Sequence, residues 1–300
     1  MERNKRITYA NILLLIICAA GIAVGTGYDL DIARAVYRPD DKFWRFITII
    51  GQYPFMALWV YYIGILCRQT MCSSLSKGKK TALCISCGYL ALSTGSICSW
   101  SMFFYDTLGG VFPGLENSPP AIMVGVIFGI SPLFFAGLFR SKREYDRTLV
   151  RRLVRLLIVM TVSFYILQII KLCFARPRYR LIIQEIAGIG FTPWYMPFSG
   201  SKGLIGEMGL RAGDFRSFPS GHALECMGLT YVLPMLTYTN EKLKDRKTIL
   251  YAAALVFAVM VCTSRMVMGA HFLSDVCAGS MLSLLASFIV PIRDIPTGDK

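Results

Sequence analysis

The only two histidines of this 300-residue chain lie in polar strings beside long apolar segments. His222 ends the string SFPSGH at 217–222, and His271 lies six residues after Arg265 and four before Asp275. An imidazole exchanges protons near neutral pH and can also act as a nucleophile. The position of both histidines in such strings therefore indicates an active site for proton and phosphoryl transfer.

The spacing of these residues predicts a role for each. His271 and Asp275 lie on one face of a predicted helix, so the carboxylate can hold one imidazole nitrogen and leave the other as a nucleophile. His222 follows Pro-Ser-Gly at a predicted helix N-terminus, where backbone N–H groups attract an anion and the imidazole can reach its leaving oxygen. The positive charge that a phosphoryl transition state requires is expected from Lys171, Arg178 and Arg265.

The composition places this site in a membrane. Hydrophobic residues make up 55% of the chain and charged residues 17%, and the mean hydropathy is +0.53, which is too apolar for a soluble domain of this size. Segments long enough to cross a hydrocarbon core of ~30 Å predict an all-α, polytopic membrane helical bundle with about eight spans. They cover approximately residues 7–27, 46–67, 81–104, 121–139, 152–172, 222–238, 249–267 and 272–290.

The loops between these segments predict the orientation of the chain. Most of the 32 Lys and Arg residues lie at the two termini and in the loops 68–80, 140–155 and 242–247, so the positive-inside rule predicts that both termini are cytoplasmic. The polar strings then share the extracytoplasmic face of what we expect to be a bacterial cytoplasmic membrane. The same loops account for most of the net charge of +14, so nucleic acid is not expected as a partner.

These strings resemble the type 2 phosphatidic acid phosphatase (PAP2) family, whose pattern is Lys-x6-Arg-Pro, Pro-Ser-Gly-His and Ser-Arg-x5-His-x3-Asp. The second and third parts are complete at 219–222 and 264–275. The resemblance implies a phosphatase without a metal or other cofactor, in which His271 is the nucleophile, Asp275 its partner and His222 the acid that protonates the leaving group. It also implies phosphate contacts from Lys171, Arg178, Ser220, Gly221 and Arg265.

The first part of the pattern is incomplete. Lys171 is followed after six residues by Arg178, but the next residue is Tyr179 where the family has proline. An alternative register takes Arg176, which precedes a proline but follows Lys171 after only four residues. We prefer Arg178, because the spacing constrains the geometry more than a flanking proline does. Arg176 and Arg180 stay further candidates for contact with the phosphate or the headgroup.

The resemblance also predicts a division of the chain. The family core has six helices with the Lys-Arg string after the third, whereas five predicted helices precede that string here. We therefore expect residues 1–80 to form two additional N-terminal transmembrane helices and residues 81–300 to form the PAP2-like catalytic membrane domain. Gly21 and Gly25 in the first segment match a pattern of small residues that predicts close helix packing.

The external loop 181–218 is the part most informative about the substrate. Its apolar and aromatic residues suit the headgroup zone of a membrane, where they could admit a lipid laterally or merely cover the helix ends. The residues in question are Ile182, Ile183, Phe191, Trp194, Tyr195, Met196 and Phe198, and the acidic residues that could orient a headgroup are Glu207 and Asp214.

Cysteine pairs offer a competing interpretation. Cys84 and Cys87 have zinc-like spacing, but the sequence has no second such pair or nearby His to complete a site, so no metal is expected there. Most of the 10 cysteines fall in predicted spans, where we expect them to pack as small apolar residues.

Taken together, these features favour an integral membrane phosphatase that acts on a lipid phosphate or pyrophosphate through a phosphohistidine. Candidate substrates are an isoprenoid carrier pyrophosphate, phosphatidylglycerol phosphate, phosphatidate or a lipid A phosphate, and a soluble sugar phosphate stays open. A lipid phosphotransferase would use the same site with another acceptor. A non-catalytic transporter is disfavoured, because an anion site needs arginines but neither a nucleophile nor an acid. The oligomeric state stays open.

Overall fold

A computed structural model describes residues 2–104, 107–140, 144–197 and 208–290 of the chain. All regular elements within these ranges are helical, as the composition predicts. The α-helices, numbered along the chain, are α1 Glu2–Val36, α2 Lys42–Ile50, α3 Tyr53–Cys72, α4 Lys77–Met102, α5 Leu108–Val111, α6 Pro119–Val124, α7 Ser131–Arg140, α8 Arg147–Phe174, α9 Tyr179–Ile182, α10 Gly221–Val232, α11 Lys247–Val267 and α12 Leu273–Ile289.

Among the described residues, six helical stretches are long and apolar enough to cross a membrane, which is the signature of an integral membrane protein. They are Lys5–Val36, Lys42–Cys72, Lys77–Met102, Pro119–Arg140, Arg147–Ile182 and Lys247–Val267. The other two predicted segments form the shorter helices α10 and α12. The count of eight spans and the orientation of the termini stay predictions.

Two helices differ in length from the predicted segments. Helix α1 continues past the predicted segment 7–27 to Val36, because no proline interrupts it before Pro39. The segment 222–238 is α-helical only as far as Val232, since Pro234 lacks the N–H group that would continue the helical ladder. The extension of α1 places Asp29 on a helix.

One compact unit consists of residues 1–48, 159–231 and 248–300. In this unit α1 packs along α12, and two glycines of α1 allow the close approach. A Cβ atom on Gly21 would lie 2.5 Å from Cys277 Sγ, and one on Gly25 would lie 3.0 Å from the backbone nitrogen of Ser274. The predicted packing role of these glycines is therefore confirmed. Further along, Asn11 Nδ2 donates to Ser287 Oγ over 2.9 Å.

The second unit consists of residues 49–158 and 232–247. Here α3 packs against α4 and α7, and a Cβ atom on Gly64 would lie 2.1 Å from the carbonyl oxygen of Phe134. The division by contacts groups α1 with α10, α11 and α12. Because compact units and family domains divide a chain by different criteria, the boundary expected at residue 80 stays a prediction.

Candidate active site

The three polar strings, far apart in sequence, meet around His271. Its Nδ1 lies 2.7 Å from the carbonyl oxygen of Ser217, and the backbone nitrogen of Ser220 donates to the carbonyl oxygen of Asp275 over 2.9 Å. His271 itself is 2% exposed. The cationic side chains that act electrostatically on its imidazole are those of Lys171, Arg178 and Arg265. The structure thus brings together residues from α8, from both strings that contain a histidine and from the segment between α8 and α9.

A tight turn between α11 and α12 carries His271 into this position. The backbone nitrogens of Ala270 and His271 both donate to the carbonyl oxygen of Arg265, over 3.0 and 3.1 Å. Gly269 has a φ of +62°, and a Cβ atom there would lie 2.7 Å from Cε2 of Tyr37. This left-handed conformation, closely covered by an aromatic ring, accounts for a glycine in the turn.

The imidazole of His271 is oriented mainly by a backbone carbonyl. Since a carbonyl oxygen only accepts, Nδ1 carries the proton that is donated to Ser217, and Nε2 is the nitrogen with a lone pair. Asp275 Oδ2 lies 3.7 Å from Nδ1, within ion-pair range but beyond a hydrogen bond. The prediction that Asp275 holds the imidazole directly from the same helix face is wrong, because His271 precedes α12 and its Nδ1 is bound by Ser217.

The carboxylate of Asp275 has other partners, which explains the longer distance. Its Oδ1 accepts from Arg176 Nη1 over 2.6 Å, and its Oδ2 accepts from the backbone nitrogen of Phe272 over 2.8 Å. The hydroxyl of Ser217 also donates to Oδ2. Asp275 therefore caps the first turn of α12 and belongs to a buried hydrogen-bond network with His271.

Ser217 is a site residue to which the sequence analysis gave no role. Its hydroxyl donates to Asp275 while its carbonyl oxygen accepts from His271, so it joins the two residues. Ser217 is completely buried. The available signal was its place at the start of the string SFPSGH, which the four-residue family pattern does not include.

Burial in this network keeps His271 neutral. Loss of solvation lowers the pKa of His271 to about 3, helped by the charges of Lys171, Arg178 and Arg265, while the interaction with Asp275 opposes the shift. A neutral imidazole with its proton on Nδ1 presents a lone pair on Nε2 near pH 7. This is the protonation state that a nucleophile requires.

The turn before α10 brings Ser220 into contact with Asp275, and Gly221 and His222 follow it in the chain. Ser220 Oγ accepts from the backbone nitrogen of Ala223 over 3.3 Å, which caps the helix. A Cβ atom on Gly279 of α12 would lie only 2.2 Å from the carbonyl oxygen of Ser220, so that glycine lets the turn contact α12. Gly221 then begins α10 and His222 follows in its first turn, where the helix dipole favours an anion.

The three predicted phosphate-binding cations are all buried. Lys171, in the last turn of α8, is 8% exposed and its Nζ donates to the carbonyl oxygen of Arg216 over 2.8 Å. Arg178 is 8% exposed and immediately precedes α9, and Arg265 is 1% exposed in the last turn of α11. Because all three act on His271, an anion beside that imidazole would lie within range of three positive charges.

Arg176 and Arg180 both donate hydrogen bonds to carboxylates. Arg176 is 1% exposed and donates to Asp275 and Asp29. Arg180 donates twice to Asp214 Oδ1, over 3.1 and 2.7 Å. The charge of Arg178 lowers the pKa of His271, whereas the guanidinium of Arg176 lies between carboxylates. The preference for Arg178 over Arg176 stays a prediction. Phosphate or headgroup contacts by Arg176 and Arg180 stay predictions.

Part of the loop 181–218 packs on α1. Trp194 Nε1 donates to Thr26 Oγ1 over 2.9 Å, and its ring stacks on Phe218 with 5.9 Å between centroids. Tyr195 and Met196 beside it are 52% and 47% exposed. Two residues named in the sequence analysis, Phe198 and Glu207, lie outside the described residues. Within the described ranges, no group of three or more His, Cys, Asp or Glu side chains is placed to hold a metal ion.

Comparison with known proteins finds a family match over the region that contains both histidines. Residues 152–293 match the PAP2 superfamily, which confirms the resemblance over that region. Phosphatidylglycerophosphatase B of Bacillus subtilis (strain 168) is 41% identical over 78 residues, which is 25% of this chain and 37% of the relative. The chain thus spans little more than a third of that relative's length. No solved structure matches the chain.

Proposed function

We propose that the protein is an integral membrane phosphatase that hydrolyses a lipid phosphate or pyrophosphate through a phosphohistidine on His271. The observation that carries the proposal is the orientation of that imidazole. Its Nδ1 is bound to the carbonyl oxygen of Ser217 over 2.7 Å, so Nε2 is the nucleophilic atom. The buried cations Lys171, Arg178 and Arg265 act on the same imidazole.

In the first step, Nε2 of His271 attacks the phosphorus atom. A P–N bond forms while the P–O bond to the lipid breaks, and His222 donates a proton to the leaving oxygen. The three buried cations and the N-terminus of α10 stabilise the charge that collects on the equatorial oxygens. Asp275 stabilises the positive charge that develops on the imidazole.

In the second step, water attacks the phosphohistidine. His222 now acts as the base and takes a proton from the water, the P–N bond breaks, and inorganic phosphate leaves. His271 regains its neutral state with the proton on Nδ1. A lipid or sugar hydroxyl in place of water would make the same site a phosphotransferase.

Lipid substrates are supported by the setting of the site. Exposed Tyr195 and Met196 form an apolar surface on the loop that packs against Phe218 through Trp194, and such residues suit a membrane interface. The similarity to phosphatidylglycerophosphatase B favours phosphatidylglycerol phosphate among the candidates. An isoprenoid carrier pyrophosphate, phosphatidate and a lipid A phosphate fit the same site. The basic loops support a site on the outer face of a cytoplasmic membrane, with both termini inside.

Release of inorganic phosphate by the purified protein tests this proposal. The panel consists of these lipid phosphates and pyrophosphates together with glucose 6-phosphate, and His271→Ala is the matched inactive variant. We expect release from one lipid class by the wild type and none by His271→Ala with an unchanged size-exclusion profile. Equal release by both proteins would contradict the mechanism. Transfer of the phosphoryl group to an added alcohol, without release of inorganic phosphate, would instead identify a phosphotransferase.

A further inference from the structure

Helix α1 carries a buried carboxylate that the proposed mechanism does not use. Asp29 is 1% exposed and lies outside residues 152–293, the part of the chain that matches the PAP2 superfamily. An ionised carboxylate in apolar surroundings is unfavourable unless it is paired, so charged residues at such positions are usually functional.

The partners of Asp29 lie at the start of α12 and in the segment after α8. Its Oδ1 accepts from the backbone nitrogen of Ser274 over 3.0 Å, and its Oδ2 accepts from Ser274 Oγ and from Arg176 Nη2 over 2.9 Å. A Cβ atom on Gly25, one turn earlier, would lie 2.7 Å from Asp29 Oδ1. The glycine therefore leaves room for this contact.

The other side of the same guanidinium reaches the active site. Arg176 Nη1 donates to Asp275 Oδ1 over 2.6 Å, and Nε donates to the carbonyl oxygen of Thr192 over 2.7 Å. Its Cζ lies 4.2 Å from the centroid of the Phe272 ring. The guanidinium is thus fixed between two carboxylates, one on α1 and one on α12.

We propose that Asp29 is a positioning residue of the active site, which acts through Arg176 on Asp275. This inference rests on the proposed function. Two carboxylates around one guanidinium leave a net negative charge, so Asp275 can still stabilise a cationic imidazole. Without Asp29, the charge of Arg176 would be balanced by Asp275 alone, and the guanidinium would lose a partner that fixes its orientation. Helix α1 would then be part of the catalytic apparatus although it lies outside the family match.

The first test compares Asp29→Asn with Asp31→Asn. Asp31 lies two residues away on the same helix, and its side chain is 68% exposed, which makes it the matched control. Asp29→Asn should lower kcat about 10- to 100-fold and leave KM and the inhibition constant for vanadate, a mimic of five-coordinate phosphorus, within about threefold, because Asp29 does not touch the phosphate. Asp31→Asn should behave like the wild type. An unchanged kcat in Asp29→Asn would overturn the inference.

A double variant tests the route through Arg176 and guards against misfolding. Asp29→Asn combined with Arg176→Gln keeps the net charge of the three-residue cluster, so it should fold even where a single variant does not. If Asp29 acts through Arg176, then adding Asp29→Asn to Arg176→Gln should cause no further loss of kcat and should restore part of it, because an unpaired buried carboxylate disappears. Independent losses that multiply in the double variant would contradict the route.

The outcomes separate this inference from the proposed function. A wild-type protein that releases no phosphate from any lipid would count against the function itself. If the wild type turns over and both Asp29→Asn and the double variant keep its full rate, the positioning role of Asp29 would be contradicted. The proposed function would still stand. A parallel rise in KM and in the inhibition constant for vanadate would assign Asp29 to phosphate binding and would also contradict the positioning role.

Discussion

At the residue scale, the site depends on how one imidazole is held. His271 donates from Nδ1 to a backbone carbonyl oxygen, and Asp275 interacts with it from 3.7 Å while binding Arg176 and Ser217. A backbone carbonyl thus holds the proton of His271 on Nδ1. Substitution of a side chain cannot remove that carbonyl. In the proposed mechanism the role of Asp275 is therefore chiefly electrostatic, since it would stabilise the imidazole when that group becomes cationic.

Because the Ser217 carbonyl orients the imidazole and Asp275 supplies charge, we predict that the Asp275→Asn variant is slow but active. We expect kcat to fall about 10- to 100-fold, as for the loss of other orienting partners, while His271→Ala loses all turnover. Steady-state phosphate release measures both variants under one set of conditions. A loss in Asp275→Asn as complete as that in His271→Ala would show that the Ser217 carbonyl does not suffice to orient the ring.

The pKa of His271 predicts how stability depends on pH. Burial lowers this pKa from 6.5 to about 3, so between these values the unfolded chain binds a proton that the folded protein does not. Stability should therefore fall as the pH decreases below 6.5. Thermal unfolding in detergent between pH 7 and pH 4 would measure this, and the decrease in Tm should be smaller in His271→Gln. An equal decrease in both proteins would exclude His271 as its source.

At the element scale, glycines let helices and turns approach closely enough to form the site. Gly279 contacts the turn that holds Ser220, and Gly21 and Gly25 let α1 contact α12. The hydrogen bonds of Asp29 to Ser274 lie along the same face of α1 as these glycines. Small residues thus determine which polar groups of neighbouring helices can bind each other.

A methyl group at Gly279 should push α12 away from the turn that holds Ser220. The added Cβ atom would lie 2.2 Å from a backbone oxygen, which cannot move as a flexible side chain could, so Gly279→Ala should destabilise the protein by about 1–3 kcal/mol. Vanadate should also bind more weakly, since the turn that carries Ser220 would shift. Gly88→Ala on α4 is the control, because no atom lies within 4 Å of its Cβ position. Equal stability and vanadate affinity in both variants would contradict this account.

Sequence spacing could predict those parts of the site that lie within one turn or one helix. The separation of His271 and Asp275 predicted that they lie close together, although His271 lies in the turn before α12 and not on the helix. The string before α10 forms a capped turn, as its residue types indicate. Spacing could not predict the contact of Asp29 with Ser274, because these residues are 245 positions apart and only packing brings them together. Nor could it assign Arg176, since a basic residue beside a phosphate motif has the same sequence signal whether it binds phosphate or a carboxylate.

At the scale of the whole molecule, the long apolar helices and the basic loops predict an orientation in the membrane. Six stretches are long enough to span the bilayer in the described part of the chain, and the loop 68–80 is basic whereas the loop with Tyr195 is aromatic. The positive-inside rule predicts that the basic loop lies in the cytoplasm and the aromatic loop outside.

Thiol labelling on intact cells tests this orientation. Tyr195→Cys should react with a membrane-impermeant maleimide from outside, because residue 195 is 52% exposed. Lys79→Cys should react only after permeabilisation, and the wild type supplies the background from its 10 cysteines. The reverse pattern would contradict the predicted topology.

The central claim is a covalent phosphohistidine, and rapid chemical quenching tests it most directly. The wild-type protein would be mixed with a lipid substrate labelled at its terminal phosphorus, quenched within one turnover and digested for peptide mapping. We predict an alkali-stable, acid-labile label on the peptide that contains His271, absent from His271→Ala. Turnover without any labelled protein, or a label that persists in His271→Ala, would contradict the mechanism.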